Sequence, residues 1–240
     1  MPTSVVAVFS GLTFGGKSFL REWVMGLPEY AGAQTLAMDP IRRQLFGDRS
    51  DTHITKTEHV FKNEVTRFEL KKKLIIERPP TVFLEMVMLT RAAHQRPFAE
   101  MMDSVNDYLR KIEQEEAQRD GRAPSTAVSV DFRCMYLYCD LEAVRRRIEY
   151  RRRDIERSGN TTSASVFDLG GFVRGAQQIE IPPDGYMPLY LNTSDESPGA
   201  VAQNQAEVLA FLQGKMPISD QESQRRMAEA VSILTEARTL

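Results

Sequence analysis

The chain has 240 residues, enough for one sizeable α/β domain with additions or for two small domains. Hydrophobic residues make up 42% and charged residues 27%, the ordinary balance of a soluble globular protein. A net charge of −2 excludes a global field that would draw nucleic acid or an anionic membrane, so any nucleic-acid contact must come from a local patch.

The first element is Val5-Val6-Ala7-Val8-Phe9, a short apolar run rich in β-branched residues that reads as a buried parallel strand. Gly11-Leu12-Thr13-Phe14-Gly15-Gly16-Lys17-Ser18 follows and fits G-x-x-x-x-G-K-[ST], the phosphate-binding P-loop, without a mismatch. Phe19 to Met25 then carries apolar spacing that suits a helix. A loop that binds a nucleoside triphosphate must supply many donors in a small space. Glycines at 11, 15 and 16 let the backbone take positive φ and bring N–H groups close to phosphate oxygens. The helix starting near Lys17 adds the positive end of its dipole. Lys17 is the candidate for the β- and γ-phosphates and Ser18 for Mg²⁺, with Gly11, Thr13, Gly15, Gly16 and Phe19 completing the nucleotide-binding stretch. Phe14 is an unusual occupant of a loop that favours small residues.

Further along, Gln34 to Met38 reads as a short strand ending in Asp39, and Pro40 opens a helix through Ile41, Arg42 and Leu45. Thr55-Lys56-Thr57-Glu58 is a capping-box pattern. The helix it starts carries Val60, Phe61, Val65, Phe68 and Leu74 at roughly helical spacing and stops before Pro79-Pro80. Thr81 to Leu84 is the next strand, closed by Glu85. A long polar helix spans about Ala92 to Glu116 and breaks at Gly121 to Ser125. Val130 to Cys139 is a strand ending at Asp140, and Leu141-Glu142-Ala143-Val144 leads into an arginine-rich helix. Ser158 to Ser163 is a loop, followed by a short helix. Leu189-Tyr190-Leu191 is the last strand, and a helix through Val201, Val208, Leu209 and Phe211 closes the core. Strands alternating with helices argue for a parallel sheet covered by helices.

Beyond Pro217, Ser219 or Asp220 caps a last helix with Met227, Val231 and Leu234 at i, i+4, i+7. That stripe reads either as packing on its own domain or as a homodimer contact through the C-terminal helix. Cys134 and Cys139 lie five apart in one strand, so they point to opposite faces as reduced packing residues. His53, His59 and His94 form no metal-like spacing. No signal peptide opens the chain and no run approaches a transmembrane length, which gives a cytoplasmic expectation with no membrane partner.

Ligands of open parallel α/β sheets bind outside the carboxyl ends of the strands, where Asp39, Glu85 and Asp140 sit. Asp39 before Pro40 is a good N-cap. It also has Arg42 one turn away, an acid and a cation that together deprotonate and orient one substrate. Glu85 ends a strand like a Walker B segment and is the metal candidate. Asp140 reads as the cap of the following helix. In that helix Arg147 and Arg151 share a face, anchored by Leu141, Val144 and Ile148, and suit a lid that closes over phosphate.

With the P-loop, Asp39-x-x-Arg42, the acid-ended strand with Leu89-Thr90-Arg91, and the Arg147-x-x-x-Arg151 helix in this order, the chain resembles the polynucleotide-kinase-like and zeta-toxin-like group of P-loop kinases. Met38 to Asp48 and Tyr136 to Arg151 match best, and the resemblance spans roughly residues 4 to 213. It implies a P-loop NTPase three-layer sandwich with a five-stranded parallel sheet in the order 2-3-1-4-5. It also implies ATP with Mg²⁺ and phosphorylation of a hydroxyl on a small molecule or a nucleic-acid end. Carried over by position, Asp39 is the base, Arg42 orients substrate, Lys17 and Ser18 hold ATP–Mg²⁺, and Arg147 and Arg151 are lid cations. Residues 1–215 then form the kinase domain, with a lid around 141–165, and residues 216–240 a helical appendage. Thr13 and Phe14 stand where the family usually has Pro and Gly. Glu85-Met86-Val87-Met88 stands where it usually has Asp, small polar residues and Asn, which marks a divergent member. The alternatives are a zeta-toxin-like nucleotide-sugar kinase, or a nucleotide-binding switch or assembly protein with little transferase activity.

Overall fold

The computed structural model describes residues 4–11, 13–47, 49, 54–85, 92–126, 128–158, 168–177, 179 and 189–240. Five strands form one parallel sheet: β1 (Ser4–Gly11), β2 (Gln34–Ala37), β3 (Thr81–Glu85), β4 (Val130–Tyr138) and β5 (Leu189–Asn192). Their order is β2-β3-β1-β4-β5, as the sequence implied. The helices are α1 (Lys17–Met25), α2 (Met38–Phe46), α3 (Lys56–Lys72), α4 (Ala92–Arg119), α5 (Leu141–Ser158), α6 (Leu169–Gln177), α7 (Pro198–Leu212) and α8 (Asp220–Arg238). A π turn, Lys73–Glu77, extends α3.

Apolar side chains on both faces of the strands demand cover on both sides, which makes three layers. Leu20 and Val24 of α1 and Val208 and Leu212 of α7 pack on Ala7, Phe9, Phe83, Met135, Leu137 and Leu191. On the opposite face, Leu70, Met101 and Val105 pack on Val6, Val8, Val82 and Leu84. Beside them, α5, α6 and α8 cover Tyr136, Tyr138 and Tyr190. The register is what positions a site. Ala37, Glu85 and Phe9 lie in one row across β2, β3 and β1, and Gly11 pairs with Leu137 of β4. The chain therefore leaves three adjacent strands at one carboxyl edge, carrying Asp39, Glu85 and the P-loop there together.

Several local expectations hold. The capping box forms in full, with Thr55 Oγ1 accepting from Glu58 N–H and the Glu58 carboxylate accepting from Thr55 N–H. Asp140 Oδ1 accepts from Ala143 N–H at 2.7 Å and caps α5, and the Ser219 side chain accepts from Glu222 N–H to start α8.

Other expectations are corrected. Asp39 is not the N-cap of α2; β2 runs directly into the helix, Ala37 takes the cap position, and Asp39 sits in the first turn where the helix dipole favours an acid. Cys139 lies past the end of β4, so strand alternation does not apply to it, and both cysteines are buried and free on the face covered by α3 to α6. In α3 the buried residues are Lys62, Asn63, Thr66 and Leu70, while Val60, Phe61 and Phe68 face outward. In α8 the buried stripe is Arg226, Ala230, Leu234 and Ala237, with Val231 outside it. Arg226 is held there by a bidentate pair to Glu207 of α7 at 2.6 and 2.9 Å and by the carbonyl of Tyr190 at 3.1 Å. Among the described residues no helix is long and apolar enough to cross a membrane.

Candidate active site

The P-loop leaves β1 at Gly11, whose φ of 125° and close approach to β4 exclude any side chain: a Cβ there would lie 2.0 Å from the Leu137 carbonyl oxygen. Among the described residues the positive φ angles of the loop fall on Gly11, Phe14 and Gly16. The sequence assigned such freedom to Gly15, but Phe14 takes it, with φ of 68°. For a non-glycine residue this costs about 1–2 kcal/mol, and packing offsets it. The Phe14 ring is buried against the cluster of Tyr138, Leu141 and Val144, and the Arg151 guanidinium stacks over it at 4.6 Å.

Two carbonyls of the loop are tied from outside. Arg147 Nη1 donates to the Phe14 carbonyl at 2.5 Å, and Thr193 Oγ1 donates to the Gly15 carbonyl at 3.1 Å. A trans peptide aims its N–H opposite its C=O. Turning these carbonyls outward therefore turns the N–H groups of Gly15 and Gly16 into the loop, where an anion would meet them. Arg147 also donates to the Thr193 carbonyl and, through Nε, to Glu196 at 2.7 Å. Lys17 is buried beneath the loop, and its Nζ donates to the Gly11 carbonyl at 3.2 Å. Burial pulls its pKa below the usual lysine value, while Glu85, Cys139 and Asp39 oppose that shift and Arg151 adds to it.

Ser18 Oγ donates to Glu85 Oε1 at 2.8 Å, and Arg21 Nη1 donates to Glu85 Oε2 at 2.5 Å. The guanidinium thus orients the carboxylate so that its other oxygen faces the P-loop hydroxyl. Two hard oxygen donors at the end of β3 and the start of α1 fit Mg²⁺, which keeps several waters and takes its remaining ligands from phosphate. Asp39 is half exposed, with Oδ1 3.7 Å from Arg42 Nε, and Arg42 is buried and donates to the Arg49 carbonyl. Asp39 acts electrostatically on both Lys17 and Arg151, which places these three charges within one field. Burial lowers the Arg151 pKa and Asp39 counters it.

The fold thus gathers Gly11, Gly15, Gly16, Lys17, Ser18, Glu85, Asp39, Arg42 and Arg151 at one edge, with Thr13 half-buried in the loop and Phe19 exposed on the first turn of α1. Arg147 is at that edge too, engaged with the loop's backbone. Sequence reasoning missed Arg21, Thr193 and Glu196. Arg21 was legible as one helical turn beyond Lys17, and Thr193 as the polar residue just past the β5 strand. Met86-Val87-Met88, Leu89-Thr90-Arg91 and the part of the lid from 159 to 165 lie outside the described residues. No group of three or more His, Cys, Asp or Glu gathers among the described residues.

No family model matches the sequence, and no curated protein matches it significantly. Solved structures do match. A putative kinase from Chloroflexus aurantiacus superposes with a TM-score of 0.52 at 12% identity, over 87% of this chain and 98% of that one. The APS kinase CysC of Mycobacterium tuberculosis, in complex with AMPPNP and APS, gives 0.50 at 18% identity over 89% and 99%. Kti12 of Chaetomium thermophilum, in complex with ADP-AlF3, gives 0.50 at 11% over 86% and 98%. At these identities the likeness concerns the fold alone, a five-stranded parallel sandwich of the P-loop NTPase type.

Proposed function

We propose that this chain is an ATP-dependent kinase that transfers the γ-phosphate to a hydroxyl of a small molecule or a nucleic-acid end. The observation that carries the reading is the edge on which Ser18 and Glu85 are hydrogen-bonded while Asp39 shares its field with Lys17 and Arg151. A nucleotide-binding turn alone needs no acid with a neighbouring arginine on the adjoining strand-to-helix junction. A phosphotransferase needs a group to take the acceptor's proton and cations near the transferring phosphate. The order of motifs that resembles the polynucleotide-kinase-like and zeta-toxin-like group supports the same reading.

In this mechanism the inward N–H groups of Gly15 and Gly16 and the Lys17 ammonium hold the β- and γ-phosphates. Ser18 and Glu85 would hold Mg²⁺, which would supply positive charge to offset that of the phosphates. Arg42 and Asp39 flank the acceptor. As the hydroxyl oxygen bonds to the γ-phosphorus, the bond to the β–γ bridging oxygen breaks and ADP leaves. Asp39 takes the hydroxyl proton. Arg151 adds positive charge over the transferring group, which arginine suits. Arg147 acts one step removed, as a positioning residue that keeps the Phe14 carbonyl turned away.

The test is transfer from γ-labelled ATP to a metabolite extract and to 5′-hydroxyl oligonucleotides. Lys17→Ala is expected to abolish labelling. Asp39→Asn is expected to lower transfer about 10²–10⁴-fold and to leave ATP binding within a few-fold. Retained transfer in Asp39→Asn removes Asp39 from the base role. Tight ATP binding without any labelled product would favour a nucleotide switch over a kinase.

A further inference from the structure

The helix α3 carries an apolar stripe toward solvent, opposite the face on which Leu70 packs into the core. It buries Lys62, Asn63 and Thr66, and it exposes large apolar side chains: Val60 at 52%, Phe61 at 53% and Phe68 at 65%. Ile76, in the π turn that extends the helix, is 72% exposed. An outward stripe of this kind is the reverse of a surface helix on a monomer.

The stripe also has an internal order. At steps of four residues it reads Val60, Glu64, Phe68, Lys72, Ile76: apolar, acid, aromatic, base, apolar. Steps of four lie on one ridge of a helix, and the wider π turn keeps Ile76 on the solvent side. The sequence around Phe68 is therefore its own complement when laid antiparallel. If a second copy meets it about a two-fold axis at Phe68, the two Phe68 rings meet on the axis. Glu64 of each copy faces Lys72 of the other, and Val60 with Phe61 faces Ile76 of the other. A two-fold contact needs a self-complementary patch of this kind.

We infer that the outer face of α3 is a homodimer interface, with Phe68 on the two-fold axis and two Glu64–Lys72 pairs across it. The neighbouring surface offers a seat for the incoming ring. A groove of about 420 Å³ runs between α3 and α4, lined by Arg67, Phe68, Lys71, Pro97 and Met101. Within one chain Glu64 pairs with Arg67, and Lys72 lies 3.9 Å from Glu69. Such exposed pairs are weak and exchange readily for partners across an interface. Phe68 then supplies the central apolar anchor and the two charge pairs fix direction, since a parallel alignment sets like charges together and a shift by one step sets each charge against an apolar side chain.

Sedimentation velocity on the full chain tests this, with circular dichroism to verify that each variant is folded. The wild type is expected to be dimeric and Phe68→Glu monomeric. Glu64→Lys and Lys72→Glu are each expected to weaken the dimer about a hundredfold, because each sets like charges opposite one another. The double variant with both changes is expected to return to within a few-fold of the wild type. Val231→Glu, on the exposed side of α8, is expected to leave the dimer intact. A wild type that stays monomeric up to about 100 µM would overturn the inference. So would a Phe68→Glu variant that stays dimeric, a double swap that fails to restore association, or a dimer lost on Val231→Glu.

Discussion

The helices α3 and α8 reverse each other's pattern. In α3 Val60, Phe61 and Phe68 face water, while Lys62, Asn63 and Thr66 share the inner face with Leu70. In α8 the buried stripe is built on Ala230, Leu234, Ala237 and an arginine, and the helix lies on β5 and α6. The difference shows that apolar spacing identifies a helix without identifying its covered arc. Small residues decide the case of α8. Ala230 and Ala237 let its backbone approach Tyr136 and Tyr190 closely, and Arg226 reaches past them to Glu207. In α3 the inner arc also meets α2, at the edge that carries Asp39 and Arg42, and Lys62, Asn63 and Thr66 stand there beside Leu70.

The strongest way to break this contrast is at the foot of α8. Arg226→Ala leaves Glu207 buried without its partner and is expected to cost about 3–5 kcal/mol in urea unfolding. Replacing both, Arg226→Met with Glu207→Leu, is expected to recover most of that loss, because an apolar pair of similar volume needs no counter-charge. If Arg226→Ala leaves the midpoint unchanged, α8 is not an integral part of the core.

A smaller effect is expected at the start of α3. Thr55→Ala removes the cap that Glu58 N–H bonds to and is expected to cost about 1 kcal/mol. The same cap has a pH signature. Hydrogen bonds from the Thr55 backbone, then from Arg49 and the Thr55 hydroxyl, hold the Glu58 carboxyl down to about 2 from 4.5. A depressed carboxylate contributes stability that is present above its unfolded value, so the contribution of Glu58 is lost as pH falls from about 4.5 to about 2. Glu58→Gln is expected to flatten stability against pH in that window, as followed by unfolding at several pH values.

The smallest effect is expected on the outer arc of α3. Phe68→Ala, measured as a monomer at high dilution, is expected to change stability by less than about 0.5 kcal/mol. A loss of several kcal/mol would mean that Phe68 packs inward and that the two helices do not differ as described.

The sheet was legible because its strands are short apolar runs bounded by turn residues, and the P-loop because eight residues of fixed spacing have one mechanism. Glu85 was legible as the acid that ends such a run. What escaped was whatever depends on contacts distant in sequence. Asp39 reads as a cap beside Pro40, yet β2 enters α2 without a turn and leaves Ala37 in that place. Arg147 reads as a lid cation beside Arg151, but the approach of Phe14 and Thr193 gives its guanidinium their two backbone carbonyls. Phe14 reads as an oddity until the apolar cluster beneath it and the guanidinium above it are both in view.

The Phe14 carbonyl has a second neighbour besides Arg147: the thiol of Cys139 donates to it at 3.6 Å. Burial raises the pKa of that thiol, against the opposing pull of Arg147, and Cys134 is pushed up to about 12 deeper in the sheet. An alkylating reagent needs a thiolate and a path to it. Cys139 offers neither while α5 grips the loop, whereas Cys134 is shut off by the helices packed on its face of the sheet. Alkylation at Cys139 without alkylation at Cys134 would report release of the P-loop by α5.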